Sequence, residues 1–174
     1  MPRKSTRKDK TIYQIAREER GITLESAATQ LHMSPQKLGH FESQTTRPTD
    51  EDICSMAEVY EKPILCNEYC ASVCKIGEVT GVSLIKEMQL APAVLHVLDA
   101  FGKINKDKQR LVEDLVDISN DQCIELDEVD RFVEILTQLK SLTDAVSELD
   151  MWVKNAIAKK NLSEEVSKRL GDRT

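Results

Sequence analysis

An all-α fold is the class this chain predicts, and three observations carry the prediction. Apolar residues recur at helical steps: Val129, Val133, Leu136, Leu139, Leu142, Val146, Leu149, Val153 and Ile157 follow one another at three or four. Side chains able to cap a helix stand ahead of the helical patterns, at Thr23, Ser34, Thr49 and Ser163. Aromatic residues are only 4% of the 174, with six Gly and five Pro, too few for the short strands and frequent turns of a β-sandwich.

Residues 1–10, MPRKSTRKDK, form a basic arm carrying Arg3, Lys4, Arg7, Lys8 and Lys10. It is either a solvated tail or an arm that grips phosphate. The first helix runs from about Lys10 to Arg20, with Ile12, Ile15 and Ala16 inward, and Gly21 ends it in the left-handed conformation. Arg17 and Arg20 read as outward charges, in solvent or against a DNA backbone.

Residues 23–47, TLESAATQLHMSPQKLGHFESQTTR, organise this end of the chain. Thr23 caps a helix with Ala27, Ala28 and Leu31 at core spacing. His32 and Met33 make a turn. Ser34 caps the next helix, and Pro35 takes its first position, where a missing N–H costs nothing. Leu38 and Phe41 face inward, with Met33 and Leu38 filling the corner. Gln36, Lys37, Gly39, His40 and Ser43 then face out. Two short helices joined this way, the second polar on its outer face, form a helix-turn-helix. Gln36 suits a base edge, Lys37 a guanine or a phosphate, and His40 lies one turn beyond Gln36. Gly39 weakens the helix and leaves room for a close backbone approach. The loop that follows offers Ser43, Thr45, Thr46 and Arg47 as phosphate donors. Pro48 keeps the chain from continuing as helix. Thr49 to Asp52 starts the next helix with an acidic first turn, and Ile53, Met56, Ala57 and Tyr60 face inward.

From about Thr11 to Tyr60 these residues resemble the lambda-repressor/Cro-like (XRE-type) DNA-binding domain, with IYQIAREERGITLESAATQLHMSPQKLGHFESQTTRPT at the centre of the likeness. The resemblance implies a five-helix lambda-repressor-like domain over residues 11–63, with recognition positions on Pro35, Gln36, Lys37, His40 and Ser43. It departs at Leu24, where the family usually has a phosphate-contacting Gln, and at His32, where it usually has Gly. The expected DNA-binding residues are Ser34, Gln36, Lys37, His40, Ser43, Thr45 and Arg47.

Beyond Pro63 the segment ILCNEYCASVCKIG places Cys66, Cys70 and Cys74 four apart, with Cys54 upstream. On one regular helix Cys66 and Cys74 stand ~12 Å apart. Thiolates on one zinc lie within about 4 Å of each other, so three ligands require that helix to break. The thiols are read as small buried packing groups, and no metal or other cofactor is expected; the alternative is one CxxxC pair sharing a metal, with Cys54 and another group completing it. Residues 75–83, KIGEVTGVS, read as a linker, closing a cysteine-containing segment over 64–83.

Residues 84–174 read as a helical dimerisation region. A helix carrying Leu84, Ile85, Met88, Val94, Leu95, Leu98 and Phe101 is kinked or split at Pro92. His96 sits on it as a core or boundary residue. Asn105 caps the next helix, with Leu111, Leu115, Val116 and Ile118, ending near Asn120. Cys123 is a packing residue. The long helix spans about Leu126 to Lys160, ~52 Å, and includes Trp152. Ser163, Glu164 and Glu165 start a last short helix that Gly171 ends. The cysteine segment and this tail (QRLVEDLVDIS, ELDEVDRFVEIL, ELDMWV) are similar to those of clostridial-type XRE regulators.

Net charge is −6, unevenly shared. Residues 1–50 hold nine Lys/Arg against six Asp/Glu, or +3, and residues 51–174 hold 15 against 24, or −9. A basic head on an acidic body suits double-stranded DNA, since only the contact face must be positive. No apolar run reaches the ~18–20 residues that span a bilayer, so no membrane partner is expected. Five cysteines without an export signal point to the reducing cytoplasm. His32, His40 and His96 lie on separate segments and no Gly-rich nucleotide loop occurs, so an enzyme is not expected. The expected function is a homodimeric, sequence-specific transcriptional regulator, a repressor by default. The alternative is a protein-interaction module, of antitoxin or anti-repressor type, on the same scaffold.

Overall fold

A computed structural model of the chain describes residues 10–119 and 124–171. The arm residues before Lys10, together with Asn120 and Cys123, lie outside the described residues. Within them the regular structure is entirely helical. The chain divides into two compact units, Met1–Ile85 with Val153–Thr174, and Lys86–Trp152.

The first unit begins with α1 (Ile12–Arg20), α2 (Leu24–Gln30), α3 (Pro35–Glu42), α4 (Asp50–Val59) and α5 (Ile64–Ser72). Side-chain caps start four of them. The hydroxyls of Thr11, Thr23, Ser34 and Thr49 accept from the backbone N–H three residues on. At Thr49 the box closes, because the Asp52 carboxylate accepts from the Thr49 N–H at 3.2 Å. The C-termini of α1 and α2 share one device, a left-handed residue at Gly21 (φ 76°) and at His32 (φ 53°). The next N–H reaches back five residues, Ile22 to the Arg17 carbonyl and Met33 to the Ala28 carbonyl. His32 thus takes the conformation for which glycine is the ordinary residue.

Tyr13, Ala16, Ala27, Ala28, Leu31, Leu38, Phe41, Ile53, Met56, Ala57, Tyr60 and Leu65 form one core, drawn from all five helices. Ala27 and Ala28 are wholly buried, as close helix approach demands, and Met33 and Leu24 pack against the same core. The inward face of α1 differs from the expected one. Ile15 is 41% exposed, while Tyr13, Ala16 and Arg17 turn in. The core also takes in Leu65 on α5, two residues past Pro63.

Residues 75–80 are a helix rather than an open linker: α6 spans Lys75–Thr80. A Cβ on Gly77 would fall 1.9 Å from the Cys70 carbonyl oxygen, so α6 meets the backbone of α5 where only glycine fits. Asn67 then holds the following segment, donating to the Ser83 carbonyl at 2.9 Å and accepting from the Ile85 N–H at 2.8 Å. With its backbone spoken for in this way, the segment around Leu84 and Ile85 is not helical, contrary to expectation.

The second unit contains α7 (Leu90–Lys106), α8 (Lys108–Ser119) and most of α9 (Val129–Ala158). Pro92 neither kinks nor splits α7. It lies in the first turn, where an N–H has no intrahelical partner to lose. Asn105 lies inside α7 and caps nothing; α8 begins after Asp107. The 30 residues of α9 make it ~45 Å long, shorter than expected. Ala93, Ala100, Ile118, Ile135 and Ala145 are buried. His96 is exposed rather than a core or boundary residue, and its Nδ1 lies 2.9 Å from Glu148 Oε2. Arg131 bonds Asp114 at 3.2 Å, tying α8 to α9. The last helix, α10 (Glu164–Gly171), starts at Ser163, whose hydroxyl accepts from the Val166 N–H. No helix among the described residues is long and apolar enough to cross a membrane.

Candidate nucleic-acid interface

The outward face of α3 follows from what its inward face must do. Leu38 is 0% and Phe41 1% exposed, and a helix that buries those two turns Gln36, Lys37 and His40 to solvent. Ser34 is the cap of α3: its hydroxyl accepts from the Lys37 N–H at 3.1 Å. Ser43 ends the helix. Its Oγ bonds the His40 carbonyl at 3.2 Å and lies 2.8 Å from the Thr45 hydroxyl. The His40 carbonyl also accepts from Thr45 N–H at 3.0 Å, across a left-handed Gln44 (φ 57°). Ser43 and Thr45 are thus fixed as a pair at the C-terminal end of α3, with Arg47 exposed two residues on.

Lys37 is the exception on this face. Its ammonium lies 2.8 Å from Asp52 Oδ1 and 5.3 Å from the Phe41 ring centroid. Burial alone would raise the Asp52 carboxyl. Hydrogen bonds from Lys37 and from the Thr49 backbone and hydroxyl outweigh it and hold Asp52 below the ordinary carboxylate range. The sequence offered Lys37 to a base or a phosphate; here it bridges α3 to the first turn of α4.

Arg17, read from the sequence as outward, is buried. Its guanidinium donates from Nε to Glu42 Oε1 at 2.6 Å and from Nη2 to Oε2 at 2.8 Å, and from Nη1 to the Ile22 carbonyl at 2.9 Å. The hydrogen bond to Glu42, against the cost of burial, raises Arg17 above its ordinary value. This fork ties α1 to the end of α3 and so sets how the exposed face is presented. Tyr60, beside it, is raised by burial first and by the Glu42 carboxylate second. The missed signal was spacing: Tyr13, Ala16 and Arg17 fall at i, i+3 and i+4, which puts Arg17 on the core side. Arg20 bonds Glu61 Oε1 at 2.8 Å at the surface.

Residues 14–63 match the family model of a helix-turn-helix domain. That span runs from within α1 to the residue before α5 and includes the turn at His32 and Met33. Neither the curated proteins nor the solved structures compared with the chain give a match. Leu24 sits partly buried against this domain's core, so its side chain packs instead of reaching outward.

Proposed function

We propose that this protein is a sequence-specific duplex-DNA-binding transcriptional regulator whose α3 reads the major groove. The observation that carries this reading is the split of α3, with Leu38 and Phe41 sealed in the core and Gln36 and His40 exposed one turn apart. Gln36 and His40 read base edges. Ser43, Thr45 and Arg47 donate to phosphates and set the register. Lys37 contributes from its bridge to Asp52, with a hydrogen bond to exchange before it reaches DNA. Occupancy of an operator makes the protein a repressor wherever that operator overlaps a promoter.

We further infer that it binds as a homodimer, with residues 84–174 supplying the contacts. One helix-turn-helix reaches too few bases for tight binding, and two half-sites about 34–36 Å apart are the ordinary solution. Leu95 and Leu98 on α7 are 62% and 59% exposed, and Val133, Leu136 and Val146 on α9 are exposed as well. A second copy covers these side chains.

The test is binding to an operator selected from random duplexes. Gln36→Ala and His40→Ala are each expected to relax base preference by ~1–3 kcal/mol at a defined position. Arg47→Ala is expected to weaken all sequences alike and to flatten the salt dependence by about one unit of log–log slope. If neither Gln36→Ala nor His40→Ala changes the preferred sequence, α3 is not the reading helix. A chain that selects no operator but forms a stable complex with a different protein through α7 and α9 belongs to the interaction-module class instead.

A further inference from the structure

Four cysteines that the DNA-binding reading does not use gather in the first unit. Cys54 is on α4, Cys66 and Cys70 are one turn apart on α5, and Cys74 is the N-cap of α6. Cys54 stands close enough to Cys66, and Cys74 to Cys70, for the thiols of each pair to interact. Cys70 also stands within electrostatic reach of Cys54 and of Cys66, which links the two pairs. On an unbroken helix Cys66 and Cys74 would be held ~12 Å apart. The helix is broken. α5 ends at Ser72, and the Val73 and Cys74 N–H groups both donate to the Tyr69 carbonyl, at 2.9 and 3.0 Å. The chain then doubles back at the Gly77–Cys70 backbone approach.

We propose that Cys54, Cys66, Cys70 and Cys74 are the ligands of a thiophilic metal centre that joins α4, α5 and the start of α6. No group of three or more His, Cys, Asp or Glu side chains among the described residues is already arranged to hold an ion. Binding therefore includes side-chain rotation that draws the two thiol pairs together. A set of four cysteines is a soft ligand set, suited to zinc or to an iron–sulfur centre and not to magnesium or calcium.

Four thiolates brought this close together repel one another, and a bound cation offsets that repulsion. One proton leaves each ligating thiol for solvent as its sulfur–metal bond forms, with no change of oxidation state at sulfur. The proposal is independent of what α3 binds.

The test uses the full chain, reduced and kept anaerobic. Co²⁺ and Zn²⁺ are titrated as probes of a mononuclear site, and ferrous iron with sulfide as the iron–sulfur arm. Visible absorption, metal content after gel filtration and thiol titration are the readouts. The expected result is one centre per chain, cobalt–thiolate or iron–sulfur charge-transfer bands, and protection of four of the five thiols. Cys123→Ser is expected to leave loading unchanged. Cys74→Ser is expected to weaken it more than ten-fold, with helicity at the level of the unloaded native chain showing that this variant still folds. Absence of stoichiometric uptake by any of the three probes overturns the proposal, as does equal affinity in Cys74→Ser and the native chain. Two disulfides, Cys54–Cys66 and Cys70–Cys74, formed under mild oxidant in a chain that takes up no metal would replace it with a redox role.

Discussion

Arg17 shows how one side chain controls a surface it never reaches. Its fork to Glu42 is nearly out of water, with side chains 10% and 9% exposed, and each guanidinium nitrogen donates one hydrogen bond. Removing one member of such a pair leaves a buried charge without its partner, which costs about 3–5 kcal/mol. Arg17→Met is therefore expected to destabilise the chain by that amount in urea unfolding. Arg17→Met combined with Glu42→Leu should recover most of the loss, because both desolvation penalties vanish together. If the double variant is as unstable as the sum of the singles, the fork is not the reason for the loss. His32 is the opposite case, a residue kept in a conformation that disfavours it. The reach-back bond from Met33 to Ala28 holds the turn at a local cost of about 1–2 kcal/mol.

At the scale of elements, α3 carries a weakness that the fold does not require. A Cβ on Gly39 would meet nothing nearer than Leu24 Cδ2, at 4.0 Å. Packing thus leaves room for alanine, and helix propensity favours it by about 1 kcal/mol. Gly39→Ala is expected to raise the unfolding midpoint and, if a phosphate or base edge approaches that backbone, to weaken operator binding roughly ten-fold, about 1.4 kcal/mol. Calorimetry and a binding titration on the same preparation measure both effects. Greater stability with unchanged affinity would place the DNA elsewhere on the helix. Gly77 contrasts with Gly39: there the neighbour is backbone at 1.9 Å, and no side chain fits without parting α5 from α6.

For the whole molecule, the second unit presents more apolar surface than one chain covers. The apolar positions of α9 fall on two faces. Ile135 and Ala145 are buried, while Val133, Leu136 and Val146 are exposed. Exposed apolar patches of this kind mark association surfaces. Leu98→Asp and Leu136→Asp alter exposed positions, so each should preserve the monomer's helicity. Light scattering is expected to show the native chain as a dimer and the double variant as a monomer with much weaker operator binding. A native chain that stays monomeric well above its operator dissociation constant would remove the dimer from the proposal.

The helical class, the caps at Thr23, Ser34 and Thr49, the left-handed end at Gly21 and the helix-turn-helix were legible in the sequence because each depends on residues within about four positions of one another. The exposure of Gln36 and His40 was legible on the same ground, since helical period separates them from Leu38 and Phe41, while Ser43, Thr45 and Arg47 were legible as the polar loop that follows. Other features needed the folded chain. Lys37 meets Asp52 across 15 residues and Arg17 meets Glu42 across 25, and no local pattern specifies which charge a distant helix will present. Pro92 looked like a break, but Asn67 holds the backbone from Ser83 to Ile85 and α7 starts only at Leu90, so Pro92 falls in a first turn. Spacing placed Cys66, Cys70 and Cys74 on one helix. Tertiary packing decided that the helix stops at Ser72, because α6 can lie on α5 only where Gly77 lets the two backbones touch.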